Sequence, residues 1–440
     1  MSLLLHPESP LCANTELDLF TVPGSSFSYK DCQYVAYEST TSISDNGPIV
    51  FRIPKTDRYL DLNLTYLKLK FRIVKSDGTY INHDDNGGHA VSMINSCNSF
   101  FSDVQVSFNE KIVSNDNGLY PVRCEIENTI NYNSETKNCS WMQCDIYAPD
   151  EAGKKDVSDP RIGADSNAGL VKRFEYSKNS KLVTAYTRLH ADVFRMDKIL
   201  LNNIDIQVKL TRSKDSFALM SPDLIPGYKI KIESAQLCIR TAEIDSSILV
   251  AHAEALESKT AKYHFTRSEM HAINIPRGHR TITKDALFLG EIPRAIVACF
   301  IGDEAISGNY KKSPYNFMDY SLSFMGVTVN NIHVQNSPMI LDVEGDGVEA
   351  YHSALLSRGM MYQNTGFGIK RTDFKHGNFI CIFNISPELG DNNLPLTKRG
   401  SLKIELRFDK VLPYNVNLII LAVYDEILEI NKDRYIEIDF

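Results

Sequence analysis

Apolar and polar residues alternate with a period of two along much of this chain, the signature of strands that turn one face to a core. Val104, Val106 and Phe108 alternate with polar neighbours. Ile204, Ile206, Val208 and Leu210 enclose Asp205, Gln207 and Lys209, and Leu402, Ile404, Leu406 and Phe408 enclose Lys403, Glu405 and Arg407. Such segments are half-buried antiparallel strands. In residues 62–74 the apolar set Leu62, Leu64, Tyr66 changes phase to Leu67, Leu69, Phe71, Ile73, which predicts a bulge. Residues 418–423 are apolar without interruption, as a strand covered on both faces would be.

Helical patterning is scarce but occurs twice with identical offsets. Leu119, Val122 and Ile126 follow Gly118, and Val348, Tyr351 and Leu355 follow Gly347. Each group comes after two short strands around a two-residue turn, Asn109-Glu110 in one case and Asn330-Asn331 in the other. The repeat of strand, tight turn, strand, polar loop and short amphipathic helix predicts a tandem duplication. The expected organisation is an N-terminal arm (1–45), a first β-unit (46–245), a linker or connecting helix (246–259) and a second β-unit (260–440). The polar stretch 131–181 is predicted to be a long exposed insertion carrying surface function, so deleting 150–170 should leave a folded chain with altered assembly. All-β units of many short strands are sandwiches or barrels. Periodicity alone does not separate a jelly roll from an immunoglobulin-like sandwich.

A chain of 440 residues is long enough for two cores of about 200 residues each. Its net charge of -8 argues against a surface built to neutralise phosphates. The first twelve residues lack a positive signal-peptide region, and no apolar run approaches the length of a membrane span. The nine cysteines (Cys12, Cys32, Cys97, Cys124, Cys139, Cys144, Cys238, Cys299 and Cys381) are scattered and odd in number, which reads as reduced thiols in a cytosolic or nuclear protein. The sequons at Asn63, Asn138 and Asn384 are chance matches on this reading.

No strong enzyme motif occurs, and the near misses each have an ordinary explanation. Asp342, Glu344, Asp346 and Gly347 open like a calcium loop, but its twelfth position is Ser353 where a bidentate Glu is needed, so a solvated loop is expected. Cys139 and Cys144 have no second pair with which to hold zinc. His264, His271 and His279 do not share a face, and Gly366-Phe367-Gly368 is followed by Lys370 and Arg371 instead of a helix-opening glycine. Trp141 and the 21 tyrosines suit core and interface packing better than a sugar platform. No catalytic, cofactor-binding or metal residues are expected.

Several long runs carry a family resemblance. They are CANTELDLFTVPGSSFS (12–28), the stretch from 45 to 73 containing FRIPKTDRYLDLNLTYLKLKFRI, FFSDVQVSFNEKIVSNDNGLYPVRCEIENTINY (100–132), the stretch 290–331, and 364–430 with its KRGSLKIELRFDKVLPYNVNLIILAVYDEILEI. In this order they resemble the major capsid proteins of Polinton/Maverick elements and adintoviruses, of the double jelly-roll lineage that includes adenovirus hexon. The resemblance implies two tandem jelly rolls with short helices in their loops and no enzyme activity. It further implies a homotrimer with a pseudo-hexagonal outline that tiles the icosahedral shell of a double-stranded DNA virus or virus-like transposon. A penton or minor capsid protein, a packaging ATPase and a maturation protease are the implied partners. The protein would be made in the host cytoplasm and assembled into the virion capsid there or in the nucleus. The insertion 131–181 and the loop 303–319 are the candidates for intersubunit or outward-facing contacts. Two rival classes are a β-sandwich lectin or adhesion module, which would use the insertion as its recognition loop, and an enzyme on a β-scaffold such as a glycoside hydrolase with paired carboxylates.

Overall fold

A computed structural model describes residues 8, 12, 14–44, 46–82, 89–334, 337–386 and 399–438. The leucine run at 3–5 and part of the last family-like stretch, 387–398, lie outside the described residues.

The alternating segments fold as antiparallel strands. The first unit contains β1 (Tyr29–Glu38), β2 (Ile49–Ile53), β3 (Tyr59–Lys75), β4 (Phe101–Phe108), β5 (Lys111–Ser114), β6 (Val183–Thr187), β7 (Ile206–Arg212) and β8 (Tyr228–Ile244). They pair in two sheets, ordered β1-β8-β3-β6 and β2-β7-β4-β5. The second unit contains β9 (Ala261–Ile275), β10 (Thr281–Glu291), β11 (Ala295–Gly302), β12 (Leu322–Val329), β13 (Ile332–His333), β14 (Cys381–Asn384), β15 (Arg399–Phe408) and β16 (Val416–Ile430). Their sheets run β9-β16-β11-β14 and β10-β15-β12-β13, and a further strand, β17 (Ile436–Ile438), pairs with β16.

Adding eight to every strand number of the first unit yields the second, so the duplication read from the helices extends to the whole sheet topology. The last strand of each unit lies between its first and third, and the seventh lies beside the second and fourth. That is a jelly roll. An immunoglobulin-like sandwich keeps its first two strands side by side in one sheet, whereas β1 and β2 sit in different sheets.

Hydrophobic alternation explains each strand locally. Ile206, Val208 and Leu210 on β7, and Leu402, Ile404, Leu406 and Phe408 on β15, are buried as expected. Val416 to Ala422 on β16 are buried on both faces. The phase shift in β3 is also real: Leu60 and Leu62 face the core, then Leu67, Leu69, Phe71 and Ile73 do, and the pairing with β8 skips Leu62–Thr65. Leu64, within that irregular stretch, is exposed.

The two hairpins β4–β5 and β12–β13 turn on Asn109-Glu110 and Asn330-Asn331, and all four of these residues have positive φ. This is the type I′ geometry that matches strand twist, and after glycine it suits asparagine well. Four helices of ten residues or more occur among the described residues: α1 (Tyr120–Asn131), α2 (Ala168–Ser177), α3 (Ser246–Leu256) and α4 (Val348–Ser357). The duplicated helices α1 and α4 occupy the same place, between the fifth and sixth strands of their units. Val122 and Ile126 are buried on α1, but on α4 the fully buried residues are Ala350, Ser353, Ala354 and Ser357, while Tyr351 and Leu355 are half-buried. Small side chains let α4 lie close to β14, where Ser353 and Ser357 both donate to the Ile382 carbonyl.

Two expectations need correction. Residues 29–38 of the expected arm form β1, which pairs along β8, so the first sheet begins there and not at 46. The supposed exposed insertion 131–181 folds against the body, with Met142, Tyr147, Leu170, Arg173 and Phe174 buried.

Candidate assembly surface

Each unit has its own core, and the β9–β16 ribbon enters both. Ile275, Val416, Leu418, Ile420 and Tyr424 pack in the second core, whereas Tyr263, Phe265, Leu428 and Ile430 at the other end of the ribbon pack in the first. A third apolar cluster draws Val122, Ile126 and Ile130 of α1 together with Cys299, Ile301, Ala354, Ile382, Ile419 and Leu421 of the second unit. The chain therefore presents two rolls joined by shared hydrophobic contacts.

A buried charge network stands at the base of α1. Arg123 is 0% exposed and directs its guanidinium to three carboxylates. Nη1 donates to Asp116 at 2.5 Å, Nε to Glu127 at 3.0 Å one helical turn away, and Nη2 to Asp192. The planar fork of arginine can serve three acceptors at fixed angles, which a lysine cannot do. Glu127 also receives His190 at 2.5 Å and Arg195. Burial would raise the Glu127 pKa, but Arg195, Arg123 and His190 hold it well below the usual range. Asp116, which lacks that many cations, is pushed up to about 7, chiefly by burial. The turn that carries Asp192 packs against β9, whose Ser268 backbone N–H favours the charged carboxylate against the burial that raises it, and this links the network to the second roll.

Nearby, Asp145 accepts from the Cys97 backbone N–H at 3.1 Å, and burial raises it to about 7. Its unfolded value is about 3.9, so between these values the folded protein holds a proton that the unfolded chain has released. Stability from this group is therefore complete below about 4 and is lost as pH rises through about 7. We expect unfolding free energy to increase as pH falls from 7.5 to 5.5, with Asp145 and Asp116 each adding at most about 1.4 kcal/mol per unit, and Asp145→Asn to reduce that slope in urea melts. An unchanged slope in the variant would assign the dependence to other groups.

The segment 131–181 acts as a clamp between the rolls. Lys155 donates to the carbonyls of Tyr315 (3.0 Å) and Gly377 (2.8 Å) and to Asn378 Oδ1 (2.8 Å). Lys137, on the short helix Ser134–Cys139, donates to the carbonyls of Thr129 (3.0 Å) and Phe367 (2.9 Å), and burial lowers its pKa to about 8. The loop 303–319, the other expected contact region, meets the same clamp: Asp156 accepts from Ser313 N–H at 2.8 Å and pairs with Lys312. Tyr310 of that loop donates to the Tyr228 carbonyl at 2.9 Å. Both regions thus make extensive intrachain contacts, while residues 138–140, 161–165 and 311–312 within them stay exposed.

No family model matches the chain. A Caenorhabditis elegans protein named "Uncharacterized protein F54H12.2" is 22% identical over 433 residues, covering 94% of this chain and 98% of the relative. Among solved structures, a chain of the Sputnik virophage aligns with a TM-score of 0.70 at 12% identity, covering 100% of this chain and 94% of that one. The mavirus major capsid protein aligns at 0.58 and 12% identity over 100% and 97% of the two chains, and the Faustovirus major capsid protein at 0.55 and 10% over 94% and 92%. This chain has the double jelly-roll fold of those capsid proteins.

On this double jelly roll the residues of the near-miss motifs make contacts within the chain. The carbonyls of Val343 and Gly345 in the calcium-like loop receive the Lys375 ammonium, Asp346 pairs with Arg371, and Ser353 sits in α4. Cys139 and Cys144 are exposed and free, as thiols, and the other seven cysteines are free as well. His264 lies 3.6 Å from Asp425, His271 3.5 Å from Glu269, and His279 against the Pro276 carbonyl, so the three do not converge. Phe367 is buried between its glycines, and Trp141 packs edge-on to Tyr132. Among the described residues no group of three or more His, Cys, Asp or Glu is placed to hold a metal ion, and no helix is long and apolar enough to cross a membrane.

The surface left for other molecules is apolar in places. Leu17, Leu19, Phe20, Val22 and Phe27 project from the segment before β1, and Leu224 and Ile225 from the loop before β8. Connecting helix α3 packs Ile248, Leu249 and Leu256 only partly against the first core and leaves Val250 exposed. Apolar surface that stays open in one copy commonly marks an association site. Single-sequence reasoning missed these sites because alternation identifies strands and says nothing of unpaired arms.

Proposed function

We propose that this chain is a major capsid protein that trimerises into pseudo-hexagonal capsomers of an icosahedral shell. The observation that carries this reading is the repetition of one eight-strand topology in two rolls that share an apolar layer. Three such chains around a three-fold axis bring six similar lobes together, an outline that fills a plane as hexagons do. The reading takes the division at 246–259 as the boundary between the rolls, 46–245 with β1 added and 260–440; β8 ending at Ile244 and β9 starting at Ala261 support it.

The finer reading is a Polinton/Maverick-type element or a virus related to it, with the virion capsid as the protein's destination after synthesis in the host cytoplasm and assembly there or in the nucleus. A penton protein would fill the vertices, where six-fold-like capsomers do not fit. With a net charge of -8 the chain is not expected to hold DNA by bulk neutralisation. Shells should form from purified protein without nucleic acid, and nuclease treatment should leave their yield unchanged in electron micrographs. Strict dependence on DNA would point instead to a local basic surface.

The deciding experiment is the solution mass by light scattering, with negative-stain imaging of the same peak. A mass of three times 49.7 kDa with six-lobed particles is expected. A clean monomer at micromolar concentration would overturn the capsomer reading.

A further inference from the structure

Residues 14–28 leave the body at β1 as a segment without a single buried side chain. Five large apolar residues, Leu17, Leu19, Phe20, Val22 and Phe27, are between 66% and 95% exposed. The hydrogen bonds within 14–27 are local, from Leu17, Asp18 and Leu19 N–H to carbonyls two or three residues back and from Thr21 N–H to Asp18. At its root the Ser28 carbonyl accepts from Asp245 N–H at 3.2 Å, which fixes where the segment departs.

At that root lies an open cleft of about 570 Å³, beneath connecting helix α3. Its walls include Tyr59, Ile199, Leu201, Ile244, Ile248 and Tyr263. The volume falls in the range of roughly 300–1,000 Å³ that accommodates sizeable apolar groups, room for two or three of the arm's side chains. Charge also matches. Lys198, Lys259 and Lys262 border the cleft against a single acid, Asp197, with Lys262 shared with Glu429, while the arm carries Glu16 and Asp18 and no base.

We propose that residues 14–28 are an exchange arm whose apolar side chains, with Phe20 foremost, dock in the cleft beneath α3 of a second copy of this chain. The arm stands clear of its own cleft, although Ser28 and Tyr29 line it. Fifteen residues reach about 50 Å when extended, far enough to cross to a neighbour. Every copy carries one arm and one cleft, so a closed ring uses all of both, as a head-to-tail interface must if it is to terminate. This inference rests on the capsomer reading, because it needs a second copy.

The test places the photo-cross-linker p-benzoylphenylalanine at Phe20 of the full chain, mixes light and ¹⁵N-labelled copies, and measures solution mass before irradiation. Particles of trimer mass with light-to-heavy links from position 20 to residues 246–263 are expected. Trimers whose links are confined to one copy, or fall outside the cleft, would overturn the exchange arm and leave the capsomer reading standing. A monomer would overturn both. As a second measurement, Phe20→Asp should raise the concentration at which trimers dissociate by about tenfold or more, as loss of an anchoring aromatic does. Tyr362→Ser, which alters an equally exposed aromatic elsewhere, should leave it unchanged. Equal dissociation of the Phe20→Asp variant and the unaltered chain would also overturn the arm.

Discussion

Arg123→Met should lower the unfolding free energy by about 3–5 kcal/mol, the usual consequence of removing one partner from a buried ion network. The side chain is fully buried, and its loss leaves Asp116, Asp192 and part of Glu127 with uncompensated negative charge inside the protein. Arg195 remains on Glu127, so that carboxylate suffers least. Arg123→Lys keeps a charge but cannot fork to three acceptors, and it should fall between the wild type and methionine. Urea melts followed by circular dichroism measure the difference. A change below about 1 kcal/mol for Arg123→Met would mean that the carboxylates take up protons at little cost, and the network would then contribute little to stability. Because the turn carrying Asp192 packs against β9, the loss should be felt at the junction of the rolls as well as within the first.

Deleting residues 150–170 should abolish soluble, folded protein, the reverse of what an exposed insertion would do. The deletion removes Lys155 with its three acceptors in the second roll, Asp150 that pairs with buried Arg173 at 2.6 Å, and Asn167 that caps α2. The milder Lys155→Met should cost about 3 kcal/mol or more, since hydrogen bonds to a charged group contribute about 1.5–3 kcal/mol each and their carbonyl partners would be left unsatisfied. Limited proteolysis adds a sharper reading: cleavage in Lys155→Met should begin around 300–320 and 370–380, where the lysine's partners lie. If the deletion variant were recovered folded, with a normal melt, the clamp would be dispensable and the segment would be a surface feature after all.

Much of this could be read from local pattern. Strand alternation is decided within a few residues, because a pleated backbone sends successive side chains to opposite faces whatever the rest of the chain does. The segments around Val104, Ile206 and Ile404 were therefore legible, as was the bulge in β3, whose phase change appears directly in the order of leucines. The duplicated hairpin and helix could be read for the same reason, since Asn109-Glu110 and Asn330-Asn331 sit at equivalent places and adopt the same backbone.

The clamp was illegible. Lys137 and Lys155 lie in a polar stretch and look like solvated surface residues, yet their acceptors Phe367 and Gly377 are 230 and 222 residues away in the chain. A lysine that caps carbonyls inside the protein has the same local sequence as one that points to water. Arg123 and Glu127 showed a helical spacing, but Asp192, the acid that brings the network to the second roll, lies 69 residues from Arg123.

Periodicity, turn chemistry and composition were enough to establish two β-units with one repeated hairpin-and-helix, no recognised catalytic motif and no surplus of basic charge, because each of these is a property of neighbouring residues or of simple totals. It took the folded chain to show that the units are jelly rolls, that β1 belongs to the first sheet, that residues 131–181 bind the rolls together, and that residues 14–28 remain uncovered. Those outcomes depend on which strands pair and which buried groups find partners far along the chain, and the energy of a pair is settled by the space between two residues and not by the residues beside them.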